Sequence, residues 1–404
     1  MSVSNRSESW CLAPLACLTD RVTETETTAL TAHDGQPTTT LGLPFERADV
    51  DTATQLLLTH WGIAARSLSR LDTENDDTFR VRVAHETGDP SQTSAGYIFK
   101  LASPTADARE IELQTHALLH ARQRDQSLPL QRIIPSATGE LLTNITFANG
   151  DVRIGRVLTF LPGSLLHDTA CSLNNLRAAG RTLAQLAAAL RDCEHQAARR
   201  TLAWDLQQLA DLEPKLGAIA DPDVRQHMAA ALAQLIGDTL PRLRTTRRQV
   251  IHNDFHGGNV IVDPQNPAFV TGILDFGDTV DSFLIADLAV AMSYAGGYPR
   301  ASERDGADAP AAAIAESRSD AWAAADALRD GYCEITPLSD LELELLHPLA
   351  IGRLVQRYVL GSWLAASDPA NADYTAKNLR LTLDQFNRMA VSPNVQFNAL
   401  KGTP

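Results

Sequence analysis

The run Val250-Ile251-His252-Asn253-Asp254-Phe255-His256-Gly257-Gly258-Asn259-Val260-Ile261-Val262 sets two short apolar segments around a polar loop. A third apolar segment, Gly272-Ile273-Leu274-Asp275-Phe276-Gly277-Asp278, ends in carboxylates. Short apolar runs bounded by Gly, Asn and Asp favour extended backbone, so 249–251, 260–262 and 269–274 read as strands. The plainest reading is a hairpin with a polar tip and a capping aspartate. The spacing says more. Asp254 begins the loop, Asn259 ends it, and Asp275 closes the next strand. Phosphoryl transfer from a nucleotide uses such a set: one carboxylate faces the acceptor hydroxyl, while an amide and a second carboxylate hold Mg²⁺. Magnesium takes hard oxygen ligands and keeps several waters, so one amide and one carboxylate suffice. His252 is a candidate catalytic group by chemistry, but reads better as a buried residue that shapes the loop.

These residues resemble the aminoglycoside phosphotransferase and choline kinase group of small-molecule kinases, and within it the hydroxylysine kinase branch. The resemblance is carried by His252-Asn253-Asp254, Asn259, and Gly272 to Asp278 ahead of Asp287-Leu288-Ala289. It is sharpest over 250–294 and extends over residues 45–395. Asn253 stands where glycine is common, and Gly257-Gly258 softens the loop; neither departure removes a chemical group. The resemblance implies an α+β, bilobal, protein-kinase-like fold. Its N-lobe is a small antiparallel sheet plus one helix, and its C-lobe is large and mostly helical. It implies ATP (or GTP) as donor, Mg²⁺, and a small hydroxylated acceptor. The expected division is a disordered tail over 1–44, a nucleotide-binding N-lobe over 45–161, and a catalytic and substrate-binding C-lobe over 162–404.

The tail expectation rests on Ser/Thr-rich sequence without sustained periodicity. From Asp49 the pattern changes. Val50, Ala53, Leu56, Leu57 and Trp61 form a helical stripe, with Asp49 or Asp51 as N-cap and Gly62 as stop. Strands follow near Leu68–Leu71, over Phe79, Val81 and Val83, and over Tyr97–Leu101, with a turn at Gly88-Asp89-Pro90. The turn 72–77 covers the nucleotide phosphates in the family, which makes Asn75 and Thr78 candidate donors. Lys100 lies inside an apolar strand, where an ammonium needs a partner or a phosphate. On a helix expected over 106–122, Glu112 shares a stripe with Ala108, Thr115 and Leu119, and is taken as that partner. Glu110 shares a stripe with Gln114, Ala117 and Ala121 that looks more exposed. Strands are expected at 139–146 and 152–160. The resemblance makes 156–163 the hinge between lobes, with backbone groups from Leu158 through Phe160 to Leu161 meeting adenine.

Beyond Gly163 the chain turns helical. Leu173, Leu176, Gly180, Leu183, Ala187 and Leu190 share a face, on which Gly180 permits close packing. Further helices are expected at 204–213, 223–243, 318–331, 340–366 and 374–391, with a mobile loop over 296–319. Candidate substrate residues are Asp278, Asp281, Trp204, Asp205, Tyr332, Arg353 and Arg357. An amino-acid acceptor needs a carboxylate for its amine and an arginine for its carboxylate. Asp205 and Arg353 have that chemistry; plainer roles are a helix N-terminal carboxylate and a bracing arginine. Asp287 reads as a cap or brace for the helix that follows.

The formal net charge of −14 gives the chain little reason to seek nucleic acid or an anionic membrane. No apolar run reaches the about 20 residues a spanning helix needs. The five cysteines form no C-x-x-C pair and no metal spacing, so reduced thiols and a cytoplasmic setting are expected. The best acceptor is a hydroxylated amino acid such as hydroxylysine; homoserine, choline, methylthioribose or an aminoglycoside are the alternatives within the class. A catalytically silent kinase-like binding module is the alternative outside it. A protein kinase is disfavoured, as no A-P-E-like segment follows Asp278. Oligomeric state has no signature here.

Overall fold

The computed structural model describes residues 45–71, 73, 76–83, 96–299, 318–367 and 372–390. The expected tail, Asn75, the turn at 88–90 and most of the loop at 296–319 lie outside the described residues.

Helix α1 (Val50–Trp61) starts where Asp49 accepts from the Thr52 N–H at 2.7 Å, and stops at Gly62 with φ 66°. It buries Ala53, Leu57 and Trp61. These pack on an antiparallel sheet formed by β1 (Ala65–Leu71), β2 (Asp77–Val83), β3 (Tyr97–Leu101), β4 (Ile133–Ile134), β5 (Thr143–Thr146) and β6 (Val152–Thr159). Its order is β1-β2-β3-β6-β4, with β5 also on β6. Alternation holds where it matters: Phe79, Val81, Phe99, Leu101 and Val157 are all sealed from solvent. Gly155 has a steric reason. A Cβ there would lie 2.7 Å from Ile145 Cδ1 and 3.0 Å from Trp61 Cη2. The register sets Lys100 between Thr78 on β2 and Arg156 on β6.

Asp77 is fully buried inside this lobe. It accepts from the Ala48 N–H at 2.9 Å and from Arg153 at 2.9 Å, and pairs with Arg70. Burial would raise its carboxyl, but these donors outweigh that and hold it below the usual carboxylate range. This aspartate of the 72–77 turn therefore points inward, away from any phosphate.

Helix α2 (Ala108–Arg124) begins two residues later than expected because Asp107 caps it, accepting from the Arg109 N–H at 2.9 Å. A short ribbon β7 (Ser164–Leu165) leads into the helical lobe. There α3 (Leu173–Ala189) opens with a reciprocal Ser172–Asn175 capping box. The 204–213 helix is a 3₁₀ segment, Leu206–Ala218, with Pro214 inside it. The single helix expected at 223–243 is three pieces: α4 (Pro222–Gln234), a π turn (Leu235–Thr239) and α5 (Leu240–Leu243). Pro241 explains the break, since it has no N–H for the carbonyl four residues back.

The lobe is completed by α6 (Leu284–Ala295), α7 (Arg318–Cys333), α8 (Asp340–Ser367) and α9 (Ala372–Met389). Helices α3 and α7 touch through glycines. A Cβ at Gly180 would lie 1.9 Å from Leu328 O, and one at Gly331 would lie 1.9 Å from Arg177 O. The fold is thus the expected pairing of a small antiparallel sheet lobe with a mostly helical lobe. Among the described residues no helix is long and apolar enough to cross a membrane.

Candidate active site

Two small ribbons carry the polar loop. Strand β8 (Arg248–Ile251) pairs with β11 (Val280–Phe283), and β9 (Val260–Val262) pairs with β10 (Val270–Ile273). Residues 252–259 connect β8 to β9. The loop turns at Asn253, whose φ of 64° is left-handed backbone that asparagine tolerates better than most residues. That explains the asparagine where glycine is common.

Asp287, in the first turn of α6, fixes the loop's entry. Its two oxygens accept from the His252 N–H at 3.2 Å and the Asn253 N–H at 2.8 Å. It was expected to cap or brace its own helix; it braces the catalytic loop instead. Burial pushes its carboxyl up despite these donors.

His252 is fully buried. Its Nδ1 lies 3.3 Å from the Asp254 N–H and its Nε2 lies 3.0 Å from Leu274 O. A carbonyl only accepts, so Nε2 carries the proton and Nδ1 is the acceptor. Both ring nitrogens are thereby used in joining the loop to the end of β10. This corrects the candidate catalytic assignment: His252 positions the loop.

Asp254 and Asn259 are in direct contact, and Asp275 lies near enough for the Asp254 charge to act on it. Asn259 Nδ2 donates to Asp254 Oδ2 at 2.7 Å, which turns the amide Oδ1 into the acceptor left for a cation. Arg353 donates to Asp254 Oδ1 at 3.3 Å, and His256 Nε2 lies 3.3 Å from Asp254 Oδ2. Burial would raise the Asp254 carboxyl; His256 and Arg353 outweigh it and hold it well below the usual range. Asp275 sits at φ 54° and accepts from the Gly277 N–H at 3.0 Å and from Lys100 at 3.4 Å. Lys100 is the main reason its carboxyl is lowered. Asp278 shares this floor. Burial first, then the charges of Asp254 and Asp275, push it up to about 7. The hard oxygens of Asn259 and Asp275 fit a magnesium ion by chemistry.

Lys100 does not pair with Glu112. Glu112 is exposed, and Lys100 reaches Asp275 across the cleft. The stripe carrying Gln114, Ala117 and Ala121 is the more buried one, although Thr115 on the other is buried too. Leu119, on the Glu112 stripe, is 39% exposed, whereas Ala117 and Ala121 are sealed. The inward polar residues are Glu110, which pairs with Arg200 at 2.8 Å, and Gln114, which accepts from Arg156 at 2.6 Å. Arg200 also donates to the carbonyls of Gly277 and Thr279. A chain of contacts therefore runs from α2 to the segment after Asp275.

Other candidates are placed differently from their expectation. Thr78 is buried, with its Oγ1 3.2 Å from Thr73 Oγ1. Leu158 lies inside β6, paired with both Ile98 and Ile133, and the Phe160 N–H is bonded to Gly96 O at 3.0 Å. The short strand β4 covers the edge at Leu158, and the Phe160 N–H is held from the β3 side. Asp205 is fully buried and accepts from Ser282 Oγ at 2.7 Å and the Gln207 N–H at 3.0 Å, so it caps Leu206–Ala218. Asp281 pairs with Arg248 at 3.4 Å on the β8–β11 ribbon. Tyr332 is sealed in the α3–α7 contact. Arg353 is 1% exposed; it donates to the Trp204 carbonyl, and its guanidinium lies 5.1 Å from the Trp204 ring centroid. Trp204 and Arg353 thus support Asp254 from behind. Arg357 is half-buried over the Tyr294 ring at 4.0 Å, and His256 stacks on Tyr294 at 4.8 Å. His256, Arg156 and Arg200 carried no sequence signal strong enough to single them out.

Comparison with known proteins follows this geometry. Residues 70–328 match the model of the phosphotransferase enzyme family. Hydroxylysine kinase of Danio rerio is 25% identical over 341 residues, which is 81% of this chain and 88% of that protein. The structure of amicoumacin kinase hAmiN in complex with AMP-PNP, Ca2+ and Ami superposes with a TM-score of 0.62 at 16% identity, covering 87% of this chain and 96% of that one. A microcompartment-associated aminopropanol kinase superposes with a TM-score of 0.55 at 17% identity, covering 84% and 96%.

Proposed function

Since this chain belongs to the phosphotransferase enzyme family and is a nucleotide-dependent small-molecule kinase, we propose that it moves the γ-phosphoryl of ATP to the hydroxyl of a hydroxylated amino acid, with hydroxylysine as the leading acceptor. The observation that carries this reading is the convergence of Asp254, Asn259, Asp275 and Lys100 on one floor. The relatives that match most of the chain are hydroxylysine kinases, which directs the choice of acceptor.

In this reading residues 45–161 hold the nucleotide and 162–404 hold the acceptor. Asp254 accepts a hydrogen bond from the acceptor hydroxyl and takes its proton late. A loose transition state asks little of base strength, so the low Asp254 carboxyl is adequate and its placement dominates. Asn259 Oδ1 and Asp275 hold Mg²⁺, which neutralises charge on the phosphates when bound. Lys100, held by Asp275 at 3.4 Å, turns to the donor phosphates. Arg353 and His256 hold the Asp254 carboxylate in place. Asp278, whose carboxyl is pushed up to about 7, is the group whose charged form a substrate ammonium would favour. Arg357 is the arginine with enough exposure to meet an acceptor carboxylate.

The test is a panel of hydroxylysine, homoserine, choline, amino alcohols and aminoglycosides with ATP and Mg²⁺, read as nucleotide diphosphate release. Hydroxylysine should give the highest kcat/KM, and Asp254→Asn should remove the acceptor-dependent signal. Release that no acceptor stimulates would favour a silent kinase-like module and end this reading.

A further inference from the structure

Away from the catalytic floor, α2 meets the turn after α3. His116 and His120 lie one helical turn apart on α2, and Cys193 lies in that turn. One ligand atom from each falls within 4.8 Å of the other two. Cys193 is 4% exposed, and His120 Nε2 is buried without a hydrogen-bond partner among the described residues. A buried ring nitrogen left unpaired costs about 1–3 kcal/mol unless something occupies it. His195 stands beside them, with its ring centroid 5.5 Å from that of His116. Its Nδ1 accepts from the Ala197 N–H at 3.2 Å, which leaves Nε2 for another partner.

We propose that His116, His120 and Cys193 form a three-ligand binding site for a borderline-soft divalent transition metal such as Zn²⁺, with His195 beside it. Two imidazoles and a thiol suit zinc and do not suit magnesium, so the site is chemically distinct from the Asn259–Asp275 pair. Tetrahedral zinc sets its ligand atoms about 3.3–3.8 Å apart. Burial pushes the Cys193 thiol up to about 11 and lowers both imidazoles, so the three groups rest neutral and do not repel a cation. Binding forms the metal–sulfur bond and releases the thiol proton to solvent. Asp192 and Arg124 flank His120 and pair with each other.

The location gives the site a consequence. Helix α2 lies between β3 and β4 in the chain and buries Leu113, Ala117, Leu118 and Ala121 in the core it shares with α3, whereas Cys193 and His195 follow α3. A metal there clamps the helix whose Glu110 and Gln114 reach Arg200 and Arg156.

The test uses the full chain stripped of metal and titrated with Co²⁺ under excess Mg²⁺, which fills the oxygen sites. One equivalent should bind with thiolate-to-cobalt charge-transfer absorption and the strong visible bands of tetrahedral cobalt, and Zn²⁺ should bleach both. Cys193→Ser should abolish the charge-transfer band, and a Cys11→Ser/Cys17→Ser/Cys333→Ser variant should retain it. His116→Gln and His120→Gln should each weaken Co²⁺ by at least about a hundredfold, more than is typical for loss of a residue that only hydrogen-bonds a ligand. Circular dichroism checks that each variant is folded. Should Cys193→Ser not fold, the wild-type spectrum and His120→Gln decide. Binding without a thiolate band, or a band that survives Cys193→Ser or is lost when Cys11, Cys17 and Cys333 are replaced, overturns the proposal.

Discussion

Asn259 donates through Nδ2 to Asp254 Oδ2 at 2.7 Å across the loop between β8 and β9. In the proposed reaction this one amide aims the carboxylate at the acceptor and leaves its own oxygen for the metal, so both halves of that reaction would depend on the contact. It explains why the two residues belong to one short loop, with Asp287 tying down its entry.

Asp254→Asn keeps the shape and the support from Arg353 while removing the base. Steady-state kcat should fall by about 10²- to 10⁴-fold, the range of a lost general base. Nucleotide affinity, read by calorimetry, should change by less than about threefold, because the loss lies in the transition state.

Asp275→Asn should behave differently. It removes a metal-ligating charge and the partner of Lys100. Mg²⁺-dependent ATP affinity should drop by at least about tenfold, or about 1.4 kcal/mol. Metal-free nucleotide binding should change far less.

Much of this site could be read from the chain, and the reasons for the failures are physical. Local signals were reliable. Asp254, Asn259 and Asp275 are fixed by short strands and a loop, and Gly180 by the need for close helix contact. Errors arose where a partner comes from a distant segment. On α2 the two candidate stripes have similar polarity, and only the packed helix shows that Gln114, not Glu112, faces inward. Strand β4 is two residues long, too short to signal that it takes up the Leu158 backbone. Cys193 has no metal spacing in the chain, since the histidines beside it lie on α2.

Arg353→Met tests the support of Asp254. Arg353 is one of the groups that lower that carboxyl, so its loss moves the Asp254 titration upward. The acid limb of the kcat/KM profile should shift to higher pH. The Trp204 carbonyl would keep only the Asn253 amide at 3.4 Å, so loss of the arginine bond should also cost about 0.5–1.5 kcal/mol in urea unfolding. Lower activity with an unmoved acid limb would mean that the arginine is merely structural.

Asp278 gives a stability signature in the ligand-free protein. Its folded titration near 7 lies above that of an unfolded carboxyl. The folded state thus binds the extra proton, and this contribution to stability falls as pH rises from about 4 to about 7. Asp287 and Asp205, also raised by burial, add to the same slope. Asp278→Asn should flatten it, measured as the difference in Tm between the two proteins across that window.

Gly180→Ala and Gly331→Ala should each destabilise by about 1–3 kcal/mol or more, since a methyl must push α3 and α7 apart. The double variant should cost less than the sum, because both methyls force one separation. Chemical denaturation of the three variants checks this.

The most direct test of the account is the ³¹P spectrum of reactions containing ATP, Mg²⁺ and hydroxylysine. Wild-type protein should produce a new phosphomonoester resonance together with ADP, and folded, nucleotide-binding Asp254→Asn should produce neither above background. Inorganic phosphate as the sole new product with every hydroxylated amine, or equal ester formation by Asp254→Asn, would contradict it.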